Sequence, residues 1–179
     1  MTVPPEKNSL SNRQEKMTLS AETLQNTYPL PAYNYRVTII DGNSSPTINF
    51  SEVTGLSREY KTVTYKHGMS FAFGYVIIPA EMKPLQLTLK RGVIKNSSYA
   101  SYLDDWFDSV KGWWSLLTVP TRDIQIDLCD TQGKKLISWK VIGAIPLKLA
   151  GPDFVASGQD VAIERLDVIA KNLEVDFNS

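Results

Sequence analysis

The sequence of 179 residues predicts a mainly β fold: a small β-barrel or sandwich of about seven strands, with one packed α-helix and an N-terminal arm. Short runs in which apolar and polar residues alternate recur along the chain, and turn residues separate them. A single segment repeats its apolar residues at the period of an amphipathic helix. Hydrophobic residues form 42% of the chain, which suffices for the core of one domain and excludes wholesale disorder.

Composition divides the chain into an arm and a domain. Residues 1–28 are polar and contain Pro4-Pro5, so we interpret them as an N-terminal polar arm. Pro29 and Pro31 then favour an extended chain, because the residue before a proline disfavours helical conformation. Residues 29–179 are predicted to form the β-barrel domain.

The first half of the domain predicts strands separated by turns. Residues 35–39 alternate and are followed by turn residues 41–43, and a short second strand covers 48–53. Gly55 breaks that strand as a bulge or as a close approach between backbones.

The next two predicted strands are joined by a turn at His67-Gly68. The first covers residues 60–66 and the second covers residues 69–78. The second half of the latter is apolar on both faces, and Pro79 is predicted to end it.

The remaining elements follow in order. Leu85, Leu87 and Leu89 alternate with polar residues and predict a strand with one buried face. A helix begins at Ser97 or Ser98 and closes at Lys111-Gly112. Its apolar stripe is formed by Tyr99, Leu103, Trp106, Phe107 and Val110. Two strands, 124–128 and 136–141, flank the turn 130–133 as a hairpin, and a last long strand occupies 161–175.

Charge and apolar patterning exclude several classes of function. The 19 Lys and Arg residues balance 19 Asp and Glu residues, so no excess of cations points to nucleic acid as a partner. No uncharged apolar run approaches the ~20 residues that span a bilayer, and residues 1–17 lack the apolar region of a secretion signal. We therefore expect synthesis in a bacterial cytoplasm, without a signal peptide or membrane anchor.

The residues offer little basis for catalysis. His67 and Cys129 are the sole histidine and cysteine, so a metal cluster of these residue types is excluded, and a nucleophile pair requires these two to meet. Cys129 is better interpreted as a small strand residue. The adjacent Asp104 and Asp105 point about 100° apart on a helix and form a solvated face. We predict no catalytic residue, no cofactor and no metal.

Several blocks of residues, taken in their order, carry a family resemblance. They are FSEVTGL (50–56), YKHG (65–68), LTLKRGV (87–93), the helix with its tryptophan, SWKV (138–141), AIP with a following KL (144–149), and Glu164 with Leu166. Over residues 28–177 the sequence resembles the tail tube family of contractile phages and the related tubes of extracellular contractile injection systems, of the antifeeding-prophage and virulence-cassette type. Two features depart from the family pattern: residues 79–83 replace its P-G-x-x-K segment, and the arm is longer than in the simplest tube subunits.

The resemblance implies a tail-tube fold and a structural role. It implies a subunit of the inner tube that self-assembles into stacked hexameric rings, either in the tube body or as a terminal or adaptor ring next to the baseplate or spike. The implied partners are copies of the chain itself, neighbouring tube rings, the baseplate or spike hub, and sheath proteins. The implied location is an assembled phage-like particle that is released from the cell.

The segment 71–78 bears on assembly, because a segment that is apolar on both faces must have each face packed against other residues. In one interpretation a neighbouring subunit packs on the second face. In the other, the segment is a central strand that is buried on both sides within this chain. Adjacent indoles at 113 and 114 raise the same choice between an interface and loop packing. The residues predicted for the subunit interface are Tyr65, His67, Met69, Phe71, Phe73, Tyr75, Ile77, Trp113 and Trp114.

A function of another class is also compatible with the sequence. In it, the chain is a stand-alone β-barrel module that binds a ligand in an aromatic cleft. The aromatic residues for such a cleft are Tyr99, Tyr102, Trp113 and Trp114.

Overall fold

The computed structural model describes residues 29–42, 44–95, 98–111, 119–158 and 160–177, with the backbone alone at 98 and 100. The residues from Tyr33 onward group as one compact unit. The strands are β1 (Tyr35–Ile40), β2 (Thr47–Ile48), β3 (Glu52–Thr54), β4 (Tyr60–Tyr65), β5 (Val76–Met82), β6 (Leu85–Gly92), β7 (Arg122–Cys129), β8 (Lys135–Ala150), β9 (Ile163–Ala170) and β10 (Asn172–Asp176). The helices are α1 (Ser70–Phe73) and α2 (Ser98–Ser109). The predicted arm, residues 1–28, lies outside the described residues.

Eight strands form one antiparallel sheet. Its order is β2-β1-β7-β8-β9-β6-β3, and β10 is added beside β8. Ile48 of β2 and Leu87 of β6 belong to the same buried core, although their strands lie near opposite ends of the sheet. The sheet therefore folds over one core, but its first and last strands are not bonded to each other. The predicted mainly β class is confirmed as an open sheet and not as a closed barrel.

The long strand β8 makes the corner of this sheet. Its first part pairs with β7 and β10, and its last part pairs with β9. Gly143 lies between the two parts with a φ of +66°, a conformation that side chains disfavour. The Gly143 N–H donates to Asp123 Oδ1 at 3.0 Å, which satisfies a backbone donor that the bend takes out of the ladder.

Helix α2 packs on the sheet as its apolar stripe predicts. Leu103 and Trp106 are fully buried in the core, and Tyr102 packs against the core from its edge. Tyr99 is 40% exposed, so the stripe begins one turn later than the sequence indicated. The predicted closing residue Gly112 lies outside the described residues.

Three strand predictions need correction. Residues 69–78 do not form one strand, because 70–73 make the single helical turn α1. Pro79 does not end a strand but lies within β5, which pairs with β4 alone and therefore needs no N–H donor on its other side. The run 161–175 is divided at Lys171, where the chain crosses from β9 to β10.

The short second strand is also divided, into β2 and β3. Gly55 follows β3 with a φ of +96°, and a Cβ at this position would lie only 2.0 Å from the Gln86 carbonyl oxygen of β6. The expected close backbone approach at Gly55 is therefore confirmed. Among the described residues, no helix combines the length and the apolar character that crossing a bilayer requires.

Candidate subunit interface

Strands β4 and β5 form a hairpin that is separate from the main sheet. They pair antiparallel with each other, and neither is hydrogen-bonded to the eight-stranded sheet. Val63 lies opposite Ile78, and Tyr65 lies opposite Val76. Directly opposed residues of an antiparallel pair share a face, so these four side chains form one continuous apolar face of the hairpin.

The apolar face is about half exposed in the part of the chain that the structure describes. Val63 and Tyr65 are each 55% exposed, Val76 is 52% exposed and Ile78 is 47% exposed. A two-stranded hairpin with no packed face is marginal in water by itself. The exposed hairpin is therefore the candidate surface for association.

The tip of the hairpin, residues 66–75, is still more exposed. Phe71 is 87% exposed and Phe73 is 76% exposed, both on the short helix α1. The neighbouring Met69 and Tyr75 are exposed by at least half. Large apolar side chains exposed together to this degree mark a site of association.

Local hydrogen bonds hold the tip in shape. The His67 N–H donates to Ser70 Oγ at 2.7 Å, and the Ser70 N–H donates back to the His67 carbonyl at 2.9 Å. The Met69 N–H donates to His67 Nδ1 at 3.2 Å, which requires that nitrogen to be unprotonated. Gly74 then ends the turn with a φ of +80°. The aromatic side chains of the tip are thus presented by an ordered turn.

The base of the hairpin is polar. Lys61 of β4 pairs with Glu81 of β5, and Lys83 pairs with Glu59 at 2.5 Å. The hydrogen bond and charge of Lys61 lower the pKa of Glu81. Exposed pairs of this kind contribute little stability, so they align the strands more than they stabilise them.

The structure brings together most of the residues predicted for an interface. Those on the hairpin, all exposed in the protomer, are Tyr65, His67, Met69, Phe71, Phe73, Tyr75 and Ile77. The interpretation of 71–78 as a central strand buried within the chain is wrong, since none of these side chains is buried. The interface role of the seven residues stays a prediction, and Trp113 and Trp114 lie outside the described residues.

Sequence reasoning missed Val63, Val76 and Ile78 as individual members of this surface. The alternation of 60–66 is weak, and the run 75–78 is uniformly apolar, so neither segment reveals a face. The sequence does not contain the cross-strand register, which places Val63 beside Ile78 and Tyr65 beside Val76.

The residues examined for catalysis do not converge. Cys129 is buried at the end of β7, whereas His67 is exposed at the tip of the separate hairpin. Asp104 and Asp105 are both exposed on α2. In the described part of the chain, no three His, Cys, Asp or Glu side chains are grouped as metal ligands.

Among the described residues, the most buried charged side chain, Asp127, has a structural role. Asp127 accepts hydrogen bonds from Ser138 Oγ at 2.7 Å, Gln125 Nε2 at 2.9 Å and Arg36 Nη2 at 3.2 Å. Burial acts to raise the pKa of Asp127, but the bonds from Gln125, Ser138 and Arg36 outweigh it and hold the pKa below its ordinary value. This carboxylate is a buried, hydrogen-bonded group that joins β1, β7 and β8.

Comparison with known proteins shows the family to which the chain is related. A family model described as the T4-like virus tail tube protein gp19 matches residues 31–174. A chain of the PVC sheath-tube complex, an extracellular contractile injection system in the extended state, is 28% identical with a TM-score of 0.74, covering 88% of this chain and 98% of that chain.

Two further solved structures are similar at comparable identity. The PVC sheath/tube terminator in the extended state is 29% identical with a TM-score of 0.70, covering 83% of this chain and 97% of that chain. The tube terminating cap of the anti-feeding prophage is 26% identical with a TM-score of 0.70, covering 84% of this chain and 92% of that chain. The search of curated proteins found no match.

Proposed function

This chain belongs to the T4-like virus tail tube protein family, and from that premise we propose that six copies close into a ring and that such rings stack. Its role is structural, as a subunit of a tail tube or tube terminator of a contractile injection system. The comparisons do not support the ligand-binding module considered above. Tyr102, one of the aromatics for its cleft, is engaged with Asp41 and stacked by Arg122 at 4.5 Å.

The uncovered hairpin is the observation that carries the proposal of self-assembly. Burying one fully exposed large apolar side chain contributes about 1.5–3 kcal/mol. The hairpin and its tip present several large apolar side chains together, and the described residues leave each of them about half exposed or more. A neighbouring copy supplies the missing cover, and the interface residues are those of the apolar face and the tip.

Open strand edges supply a second kind of contact. β10 pairs with β8 on one side, and the terminal strands β2 and β3 each have a single neighbour among the described strands. An edge with unpaired N–H and C=O groups accepts a strand from another chain. Strand addition between neighbours fits a ring that must remain associated under load.

The ring belongs either to the repeating body of the tube or to a terminal or adaptor layer. The similar structures include a sheath-tube complex, a tube terminator and a terminating cap, so both positions have a counterpart. The proposed partners are neighbouring tube rings, sheath proteins and the baseplate or spike hub. Electron microscopy of the native particle separates the positions, because six copies indicate a terminal ring and many multiples of six indicate the body.

The proposed function involves no chemical step. The matched structures belong to tube and terminator assemblies, and the one cysteine is buried away from the one histidine. The chain is proposed to act in an extracellular injection particle, as the particle of the PVC structure does. Rigidity and association are the properties on which this function depends.

The double substitution Phe71→Ser with Phe73→Ser tests the role of the hairpin. Both side chains are more than three-quarters exposed, so the protomer loses no core packing and its thermal unfolding is expected to stay unchanged. Phe177→Ser is the matched control, since Phe177 is 69% exposed but lies after β10.

The measurement is light scattering coupled to size exclusion, followed by electron microscopy. The unaltered chain and the control are expected as rings of about 120 kDa, six times the protomer mass of 20.1 kDa, or as tubes. The double variant is expected as a monomer. A monomeric unaltered chain at high concentration contradicts the ring, and a double variant that assembles fully contradicts the role of the hairpin.

A further inference from the structure

Two uncovered apolar surfaces lie at opposite ends of strands β6 and β9. The hairpin joins β6 at Leu85, which pairs with Ala170 of β9. At the other end, Gly92 of β6 pairs with Ile163 of β9. Because a strand rises about 3.3 Å per residue, the two ends are roughly 25 Å apart.

The second surface, which we name the distal cleft, is formed by the loop between β8 and β9. It has a volume of about 530 Å³ and is lined by Asp153, Val155, Gly158, Asp160, Val161 and Ile163. Val155 is 67% exposed and Val161 is 74% exposed. Phe154, 88% exposed, and Ile94, 68% exposed, extend the apolar area around it.

Backbone hydrogen bonds form the distal cleft within the protomer. The Val93 N–H donates to the Ala162 carbonyl at 2.9 Å, which anchors one wall of the loop to the end of β6. The Gly158 N–H donates to the Val155 carbonyl at 3.0 Å and closes a turn in the other wall. The cleft is therefore shaped before any partner binds.

The hairpin tip and the distal cleft carry opposite charge. Residues 65–75 contain Lys66 and no acidic residue, whereas residues 151–163 contain Asp153 and Asp160 and no lysine or arginine. Neither aspartate, nor Lys66, forms an ion pair within the described residues. An apolar tip with a cation and an apolar cleft with two anions are complementary surfaces.

We propose that the hairpin tip of one copy of this chain docks into the distal cleft of the next copy, with Phe71 and Phe73 against Val155 and Val161 and with Lys66 near the two aspartates. This inference rests on the proposed function and names the surface that receives the hairpin. A surface that fits a different surface of the same chain makes a heterologous contact, which repeats from copy to copy. Since the two surfaces lie at opposite ends of β6, the contact extends assembly along the direction of that strand.

Complementary charge reversals test the contact. Lys66→Glu places a negative tip against an acidic cleft, and Asp153→Lys with Asp160→Lys places a basic cleft against a positive tip. Each variant alone is expected to lose assembly by about tenfold or more, because like charges oppose each other across the contact. Mixed one to one, the variants restore both charge pairings, and alternating assembly is expected to return.

The controls separate this inference from the proposed function. Lys134→Glu makes the same change of charge in the exposed turn between β7 and β8 and is expected to assemble normally. Assembly is measured by sedimentation and electron microscopy, and folding is checked by circular dichroism. An unaltered chain that never assembles refutes the proposed function itself. Normal assembly of either reversed variant, or a mixture that stays unassembled, refutes only docking in the distal cleft.

Discussion

Substitution of Gly55 by alanine tests the idea that the entry to the hairpin is set by one close backbone approach. Gly55 follows β3 with a φ of +96°. A Cβ added there would lie 2.0 Å from the Gln86 carbonyl oxygen and 3.2 Å from the Leu87 Cα. Both neighbours are backbone atoms of β6, so no side chain can rotate away to make room.

The expected loss has two parts. A non-glycine residue at a positive φ costs about 1–2 kcal/mol, and forcing an extra carbon into a packed position costs about 1–3 kcal/mol. Gly55→Ala is therefore expected to lower the free energy of unfolding by about 2–5 kcal/mol, which corresponds to roughly 4–20 °C in Tm for a chain of this size. Because Gly55 leads into β4, displaced backbone here also moves the base of the hairpin.

Gly133→Ala is the matched control. Gly133 has a φ of +81°, but a Cβ there meets nothing within 4 Å, so only the backbone part is lost. Urea and thermal unfolding measure both variants at one protein concentration, since association changes apparent stability. If Gly55→Ala loses no more stability than Gly133→Ala, the close approach to Gln86 does not constrain the fold and the reasoning fails.

The remaining predictions concern buried polar groups and the core. The depressed pKa of Asp127 means that its contribution to stability is present above about pH 4 and is lost as pH falls through its folded pKa. Asp127→Asn should therefore cost about 1–3 kcal/mol at pH 7 in urea unfolding, and this cost should shrink as the pH is lowered. Trp106→Ala should cost about 3–5 kcal/mol. Trp106→Phe should cost less, because the buried indole N–H has no hydrogen-bond partner among the described residues, and equal losses for the two variants would contradict this. Arg91 pairs with Glu164 at 2.8 Å, so Arg91→Met should cost about 1–3 kcal/mol by leaving the largely buried Glu164 carboxylate without this partner. The double variant with Glu164→Leu should regain stability, which a double-mutant cycle measures.

Strand alternation in the sequence was sufficient for the elements that build the core. Residues 35–39, 85–89 and 124–128 each alternate in sequence, and each forms a strand. Burial follows the alternation in the first two, whereas in the third Asp127 is buried beside Ile126 and Leu128 is half-buried. The stripe around Leu103 and Trp106 likewise predicted helix α2. These predictions succeeded because one face of each element packs on the protomer's own core, so the spacing of apolar residues in the sequence indicates which face is buried.

The same reasoning failed where no core imposes a pattern. Residues 70–73 were predicted as part of a strand because the segment is mostly apolar, but local hydrogen bonds between His67 and Ser70 hold them in a helical turn. Pro79 read as a strand end, but an unpaired outer edge tolerates it. The sequence did not indicate the bend at Gly143, since strand β8 continues through it.

By itself, the sequence determined the β class, the packed helix, the absence of excess charge and the tail tube resemblance, because these follow from composition, short-range periodicity and ordered motifs. Only the tertiary structure decided whether the apolar run before Pro79 lies inside or outside, and it places the run on an exposed hairpin. The reason is physical: burial of a segment depends on which strands pair and how far apart along the chain they lie. The sequence of an apolar run does not show whether the run packs on its own sheet or on a second copy of the chain.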